Sequence, residues 1–327
     1  MRRWKAALVS FLVLCTFAGC FGSEENTAPE TTAVTMPEET ILTEPTEPAM
    51  MDAARLLWEA RKAVKGRFAT QYTHALSVDT RIGTSGISMR MGVEMERDVS
   101  MTNSPFSLFV SSKTNMIMAD AEISESTQFY CRKEDSLLTA YMHLDSMDVW
   151  MRSQSEEQPS SLLRNYWLTG YPTGPGTDAL TVAEETEILD GREVYAMSYV
   201  VNGQDHAAYL YDALESFLGP VSLAGLDLSV VELPTTYYID AQTFCPVQIV
   251  MEFHGIDQLI QQILQSQNTG MPNGDMVEPL VEINEYRLEI RNISYEEVDV
   301  PQVPEEGVKR STEEPGILPS GGGSFAL

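Results

Sequence analysis

Cys20 is the residue whose neighbours most clearly point to covalent chemistry. Two small residues, Ala18 and Gly19, come immediately before it and leave room for a peptidase at the preceding bond. The segment before them, residues 6–17, is apolar but falls short of the ~20 residues that a membrane-spanning helix needs. A thiol at such a junction is available as a nucleophile that forms a thioether with a lipid.

The N-terminal segment as a whole has the pattern of a lipoprotein signal peptide. Three cations lie within the first five residues, the apolar core follows, and the small residues lead into the cysteine. The pattern resembles a bacterial lipobox, with Phe17 where such motifs usually have Leu. We predict that residues 1–19 are the signal and that Cys20 is the lipid attachment site, thioether-linked to diacylglycerol. The alternative is an ordinary secretory signal with a chance cysteine.

The prediction of a lipid anchor has consequences for localisation and partners. The diacylglyceryl group on Cys20 would hold the protein at the outer face of the cell membrane, so the membrane itself is one partner. No later apolar run in the sequence is long enough to cross a bilayer, so we expect the lipid to be the anchor.

Familiar catalytic arrangements are missing from the sequence. It has no Gly-rich phosphate loop, no G-x-S-x-G and no H-E-x-x-H. Its histidines are dispersed, and its adjacent acidic pairs fall in predicted loops or at strand ends, where a solvated pair is the ordinary interpretation. We therefore predict no enzyme activity, no metal site and no cofactor. The residues considered are His74, His143, His206 and His254, and the pairs Glu24-Glu25, Glu156-Glu157 and Glu296-Glu297.

The charge balance argues against one class of partner. The formal net charge is -27, and so acidic a surface repels phosphate backbones and anionic lipid head groups. We therefore expect no nucleic acid as a partner. Two cysteines of the body, Cys131 and Cys245, either form a disulfide in an exported compartment or remain as two buried thiols.

Composition divides the mature chain into three regions. Residues 20–49 carry the lipidated cysteine and a Thr-, Glu- and Pro-rich stretch without Lys or Arg, which predicts a disordered acidic tether. Residues 50–303 have the apolar periodicities of a folded domain. Residues 304–327 again have the composition of a disordered tail.

Within the domain, changes of apolar period predict an α+β fold. Strand-like alternation recurs along the chain, and the Asp190-Gly191 pair predicts a tight hairpin. We expect a large curved antiparallel sheet with a few helices covering its apolar face. The predicted helices are 51–65, 206–218 and 256–264. The predicted strands are 87–96, 106–110, 115–119, 127–132 and 137–144, two strands within 235–253, and a final strand pair within 281–298.

Methionines are concentrated on the predicted strands. Flexible, polarizable thioethers suit a cavity that accepts varied acyl shapes, and they also fill gaps in an ordinary core. Under the first interpretation, the cavity for the apolar ligand would be lined by Met89, Met91, Met95, Met116, Met118, Met251 and Phe253. We expect the cavity between this sheet face and the helices at 206–218 and 256–265.

The order of these features resembles the LolA/LppX-like bacterial lipoproteins. The pattern Y-x-D-x-x-T-x-x-P-V from Tyr238 to Val247 is similar to the penultimate hairpin of that family, and the stretch 298–306, VDVPQVPEE, is similar to its exit from the sheet. The resemblance covers roughly residues 50–305. It implies an open half-barrel of about eleven strands with a hydrophobic cavity, which in the carriers is associated with acyl chains.

Two functional hypotheses follow. In the first, the protein is a membrane-anchored, extracytoplasmic lipoprotein that binds a lipid or acylated molecule in a sheet-helix cavity. In the second, it is a non-enzymatic structural or interaction module of the cell envelope, with a core filled by its own side chains and another envelope protein as its partner.

Overall fold

The computed structural model describes one large antiparallel sheet and three α-helices. Its described residues are 52–84, 87–119, 121–156, 159, 162, 179–204, 225–268, 280–296 and 298–313. Thirteen strands form a single curved, unclosed sheet, in the order β13-β6-β5-β4-β3-β2-β1-β12-β11-β10-β9-β7, with β8 also paired to β9. The predicted α+β class, an open half-barrel with few helices, is therefore confirmed.

The first half of the sheet is a meander of six consecutive strands. Each strand pairs with the next through an antiparallel ladder. The strands are β1 (Ala69–Thr84), β2 (Ile87–Asn103), β3 (Phe106–Met118), β4 (Ala121–Glu134), β5 (Leu137–Leu144) and β6 (Val149–Ser155).

The second half of the sheet joins the first through the pairing of β12 with β1. On the other side of β12, β11, β10 and β9 follow in antiparallel order. These strands are β7 (Thr181–Val182), β8 (Glu187–Leu189), β9 (Arg192–Asn202), β10 (Glu232–Asp240), β11 (Pro246–Glu252), β12 (Leu280–Ser294) and β13 (Thr312–Glu313).

Alternation along the strands gives the sheet two distinct faces. Directly paired residues share a face, so the register carries one apolar row across several strands. Val99 of β2 pairs with Tyr72 of β1 and with Val110 of β3, and Val110 pairs with Phe129 of β4. All four belong to the main buried core. We call the face that carries them the inner face.

Two of the helices add their apolar stripes to this core. Helix α1 (Ala53–Val64) begins at Asp52, whose carboxylate accepts a hydrogen bond from the backbone N–H of Arg55 at 2.8 Å. Helix α2 (Ile256–Asn268) packs against β12 and against a short 3₁₀ turn at Leu228–Val230. The buried helical residues of the core are Leu56, Leu57, Ala60 and Val64 of α1, and Ile256, Leu259, Ile260 and Ile263 of α2.

The structure confirms most of the predicted elements and corrects others. The two predicted helices that fall on described residues are present, β5 has the predicted bounds, and the 235–253 segment is strand, turn and strand. The predicted helix at 206–218 lies outside the described residues. The two strands predicted at 106–110 and 115–119 are one continuous strand, and the pair predicted within 281–298 is also a single strand.

Polar residues on the inner face explain why β3 was divided and why β1 was missed. Ser112 and Thr114 occupy inner-face positions in the middle of β3, so the apolar alternation is interrupted there although the strand is not. Strand β1, which was not predicted, carries His74 and Thr80 on the same face. The half-barrel therefore has thirteen strands among the described residues rather than about eleven.

The first part of the predicted disordered tail is folded. Helix α3 (Glu305–Arg310) and strand β13 follow residue 304, and β13 pairs with β6 in parallel. Gly307 lies so close to the Trp150 ring that a Cβ at position 307 would be 2.6 Å from it. Arg310 donates to the Asp148 carboxylate at 2.8 Å. The prediction was wrong for residues 304–313 because these contacts are tertiary and leave no apolar periodicity in the sequence.

Two tight turns follow from their residue types. Asp190 and Gly191 have φ angles of 49° and 78°, as a two-residue hairpin of type I′ requires. In the β10–β11 turn, Oδ1 of Asp240 accepts the backbone N–H groups of Gln242 at 3.0 Å and Thr243 at 2.7 Å, and also the Thr243 hydroxyl. The D-x-x-T pattern of the sequence is thus the hydrogen-bonded closure of this turn.

We predict that Gly255→Ala strongly destabilises the fold. Gly255 precedes α2 with a φ angle of 75°, and a Cβ there would lie 2.0 Å from the carbonyl oxygen of Val230. Because the obstructing atom is backbone, we expect a loss of roughly 3 kcal/mol in the free energy of unfolding, measured by urea titration. Gly191→Ala is the control, since its φ angle is also positive but its Cβ meets open space; its expected cost is about 1 kcal/mol. Equal losses for the two variants would contradict the steric argument.

A second prediction concerns the Asp240 turn and pH. Burial alone would raise the pKa of Asp240, but the hydrogen bonds from Thr243 and Gln242 outweigh it and hold the pKa below its ordinary value. The carboxylate therefore stabilises the fold fully above its unfolded pKa of about 3.9, and this contribution is lost as pH falls through the folded pKa. We expect Asp240→Asn to cost about 1 kcal/mol at neutral pH and progressively less under acid conditions.

The control for this prediction is Asp190→Asn, in the other tight turn. Asn adopts the positive φ angle of that position, so the substitution should change stability by less than about 0.5 kcal/mol at every pH. A constant difference between wild type and Asp240→Asn across the acid range would contradict the role given to the Asp240 carboxylate.

Candidate ligand-binding face

All seven residues predicted to line a ligand lie on the inner face. Met91 pairs with Met118 across β2 and β3, Met116 pairs with Val93, and Met95 pairs with Thr114. Met89 is placed there by the pairing of β2 with β1, and Met251 by the pairing of β11 with β12. Phe253 contacts β12 through its backbone N–H, which donates to the carbonyl of Tyr286. The register therefore brings residues from three strands of the sequence onto one surface.

The exposure of the methionines increases along the strands. Met95 is 8% exposed, whereas Met91, Met116 and Met118 are half-buried and Met89, near the β1–β2 hairpin end, is 37% exposed. The same end of the face carries the half-buried apolar side chains of Ile82, Val93, Ile123 and Ile283. The inner face is thus tightly packed near α1 and more open toward the hairpin end of β1 to β4.

Met251 and Phe253 belong to the packed part of the face. Met251 is 9% exposed and Phe253 is 5% exposed, and both are members of the main core. The Phe253 ring stacks on the Tyr286 ring with centroids 4.4 Å apart, and burial raises the pKa of the Tyr286 hydroxyl. For these two residues, the core-filling interpretation fits the observed packing better than an open lining.

A group of polar residues crosses the middle of the inner face. In one row, His74 of β1 pairs with Arg97 of β2, Arg97 with Ser112 of β3, and Ser112 with Thr127 of β4. In the next row toward the hairpin end, Thr114 of β3 pairs with Glu125 of β4. We call these six residues the polar band: His74, Arg97, Ser112, Thr114, Glu125 and Thr127.

The polar band was not predicted as a site from the sequence. Its members come from four strands and have no local spacing that would join them. One signal was available, since the band is the place where the alternation in β1 and β3 is interrupted. Polar residues at inner-face positions of β1 and β3, the two strands on either side of β2, could have indicated a shared polar site instead of a turn.

Two residues of the polar band, His74 and Glu125, have different surroundings. Burial, and to a smaller extent the charge of Arg97, lowers the pKa of His74 to about 3, so its imidazole is neutral at physiological pH. Glu125 is 6% exposed, and its carboxylate accepts the backbone N–H of Ser146 at 3.2 Å. The band therefore combines a cation, a carboxylate, a neutral imidazole and three hydroxyl groups.

Neither cysteine of the body forms a disulfide. Cys131 and Cys245 are both free thiols in the structure, so the disulfide alternative is wrong. Cys131 lies on the inner face, paired with Leu108 and Ala140, and burial raises its pKa to about 12. Cys245 is half-buried, and burial is also the main cause that raises its pKa.

Other kinds of site are not found in the described part of the chain. No group of three or more His, Cys, Asp or Glu residues there is arranged to hold a metal ion. Among the same residues, no helix has the length and apolar character needed to cross a membrane. A cleft of about 10 Å³ lies near Tyr130, Tyr141 and Val303, which is room for one water molecule at most. Cys20 and the predicted helix at 206–218 lie outside the described residues.

Comparisons with known proteins give structural similarities only. No protein-family model matches the chain, and no curated protein matches it either. LprF from Mycobacterium bovis is similar in structure, at 14% identity and a TM-score of 0.37, over 76% of this chain and 96% of that protein.

Two further solved structures are similar at lower scores. A LolA superfamily protein from Nitrosomonas europaea matches at 11% identity and a TM-score of 0.18, over 79% of this chain and 97% of that one. A DUF1329 family protein from Desulfovibrio piger matches at 8% identity and a TM-score of 0.18, over 74% and 90%. At these identities and TM-scores, neither a family nor a function is transferred to this chain, and the resemblance to the LolA/LppX-like lipoproteins remains the one that the sequence motifs indicate.

Proposed function

We propose that this protein is a membrane-anchored extracytoplasmic lipoprotein that binds a hydrophobic ligand on the inner face of its sheet. The observation that carries the proposal is the open end of that face, where Met91, Met116 and Met118 lie side by side and only half-buried. A ligand lying there would contact thioether side chains, which adapt to acyl chains of different shape.

The energetics of this surface support an occupant. Apolar surface removed from water contributes roughly 25 cal/mol per Å², so covering several half-buried methionines yields a useful binding free energy. An enclosed but empty apolar volume is unfavourable, at roughly 24 cal/mol per Å³. An apolar face that is only partly covered by its own chain is therefore stabilised by a lipid or acylated molecule.

The anchoring half of the proposal is supported by the sequence. Cys20 follows a charged start, a short apolar core and two small residues, and a Thr-, Glu- and Pro-rich stretch separates it from the folded domain. The diacylglyceryl group would place the inner face within reach of the outer surface of the cell membrane, where hydrophobic ligands are found.

One observation favours the second candidate function, an interaction module with a filled core and no enzyme activity. Met251 and Phe253 are packed into the main core, and the α2 residues Leu259 and Ile260 are fully buried. The sheet is thus filled by its own side chains beneath α2. The two candidates differ in whether the Met91 end of the face takes a ligand, which is directly testable.

We predict that Met91→Trp reduces binding of a fluorescent fatty-acid probe by about tenfold. An indole on the open part of the inner face would occupy the space that the acyl chain of the probe takes. Probe fluorescence is titrated with the purified protein, and far-UV circular dichroism checks the fold. Val200→Trp is the matched control, because Val200 is 55% exposed on the opposite face from Tyr199 and should leave binding unchanged. A wild-type protein that neither binds the probe nor copurifies with lipid would support the interaction module instead.

A separate prediction tests the anchor. Cys20→Ser should move the protein from the membrane fraction to the aqueous fraction, because the thioether cannot form and the diacylglyceryl group supplies the two chains that stable anchoring requires. The control is Cys15→Ser, which changes a thiol that leaves with the predicted signal and should not alter fractionation. Retention of the Cys20→Ser protein in membranes after a high-salt wash, with its signal removed, would refute the lipid anchor.

A further inference from the structure

We infer that His143 is an acid-sensitive release point for the C-terminal end of the fold. Protonation of its imidazole weakens the attachment of residues 301–313 to the outer face of the sheet, which is the face opposite the inner face. We call residues 301–313 the strap. This inference goes beyond the proposed function, because it concerns the outer face and requires no ligand on the inner one.

The strap lies against an aromatic cluster of the outer face. Val303 packs on the cluster formed by Tyr130, Tyr141 and Trp150, and Gly307 lies directly against the Trp150 ring. The backbone of the strap forms a six-residue helix, α3, and a two-residue strand, β13, paired with β6. Such short elements provide few hydrogen bonds, so the side-chain contacts of the strap help to decide how often it opens.

Arg310 joins the strap to the β5–β6 turn. Its guanidinium donates to the carboxylate of Asp148 at 2.8 Å and to the carbonyl oxygen of the same residue at 2.9 Å. The hydrogen bond from Arg310, and secondarily the one from His143, holds the pKa of Asp148 below its ordinary value. Asp148 is therefore the acceptor through which the turn holds the strap.

His143 contacts the same carboxylate from the other side. Its ring stacks on the Trp150 ring with centroids 4.4 Å apart. Its Nδ1 lies 2.8 Å from a carboxylate oxygen of Asp145, whereas its Nε2 lies 3.3 Å from Oδ1 of Asp148. A neutral imidazole has one N–H and a carboxylate only accepts, so the shorter contact fits an Nδ1–H that donates to Asp145. Nε2 then carries no proton, and the charge of Asp148 is left to Arg310.

Protonation of His143 changes this arrangement. Nε2 gains a hydrogen and donates it to Asp148, so a second cation shares the carboxylate that holds Arg310. Two cations about 6 Å apart in water-like surroundings repel each other enough to weaken an association by about threefold. The strap is the mobile partner in this competition, because His143 lies within β5 and its ring is held against Trp150.

The acids of the turn do not set the direction of the effect. Asp145, Asp148 and Glu125, whose carboxylate accepts the Ser146 N–H, favour a proton on His143 whether or not the strap is attached. Tyr130 of β4 adds no charge, because burial and, to a smaller extent, the charge of Asp145 raise its pKa.

The charges that come with the strap do set the direction. Arg310 opposes a proton on His143 directly through Asp148, whereas Glu306 binds the other terminal nitrogen of Arg310 and acts from farther away. Arg152 of β6 is paired with Glu313 of β13 at 3.6 Å, so these two charges largely offset each other. The attached strap therefore disfavours protonation. By linkage, its attachment is fullest at high pH and weakens as pH falls through the range in which histidine gains its proton.

The test is hydrogen exchange of the strap amides, measured by mass spectrometry on the full mature chain carrying Cys20→Ser. The amides of Val308 and Ser311 donate to carbonyls within the strap, and a helix of six residues is unstable once detached, so their exchange reports opening. Protection factors, corrected for the intrinsic effect of pH on exchange, are compared at about pH 5.5 and about pH 7.5. We expect about threefold lower protection at the acidic pH, and no change in the β1–β2 ladder.

His143→Gln should remove this pH dependence, because glutamine does not titrate. The matched control is His254→Gln, since His254 contacts the Glu252 carboxylate at 3.1 Å on the other half of the sheet; it should keep the wild-type pH dependence. Equal or greater protection of the wild-type strap at the acidic pH, or a pH dependence that survives in His143→Gln, would overturn the inference.

Should His143→Gln fail to fold, Arg310→Gln decides. This variant keeps the titrating ring and removes the cation that competes with it for Asp148. Strap protection should then be lower than in wild type at both pH values and equal between them. An acid-linked loss of protection that remains in Arg310→Gln refutes the inference.

Discussion

The pairing of β1 with β12 is the interaction on which the rest of the structure depends. It joins a six-strand meander to the second half of the sheet, through residues separated by about 200 positions, such as Val78 with Tyr286 and Leu76 with Leu288. Because directly paired residues share a face, this one register aligns the apolar positions of both halves. Without it, the methionines of β2 and β3 and the core beneath α2 would belong to separate surfaces.

The inner face has a closely packed part and a more exposed part on the same strands. Near α1 and α2 it is a close-packed core, in which Phe253 stacks on Tyr286 and Met251 is buried. Toward the hairpin ends the side chains are only partly covered, and polar residues separate this part from the core. Arg97 and Glu125 of the polar band lie at this boundary, on inner-face positions of β2 and β4.

The parts that could be predicted from the sequence are those with local signals. Helix α2 has its apolar stripe, the β8–β9 turn has Asp190-Gly191, and the β10–β11 turn has Asp240 as its hydrogen-bond acceptor. Strand β3 was divided because its inner-face Ser112 and Thr114 imitate a turn, although pairing along its whole length keeps it continuous. The fold of residues 304–313 depends on contact with Trp150, which sequence periodicity does not record.

The two ends of the described sheet are finished by very short strands. Thr312–Glu313 covers β6 at one end, while Thr181–Val182 and Glu187–Leu189 together cover β9 at the other. A long strand with free N–H and C=O groups would be a template for adding strands from a second copy. Strands of two or three residues offer few backbone groups for such pairing, so the ends of the described sheet give a second copy little to pair with, which limits edge-to-edge aggregation.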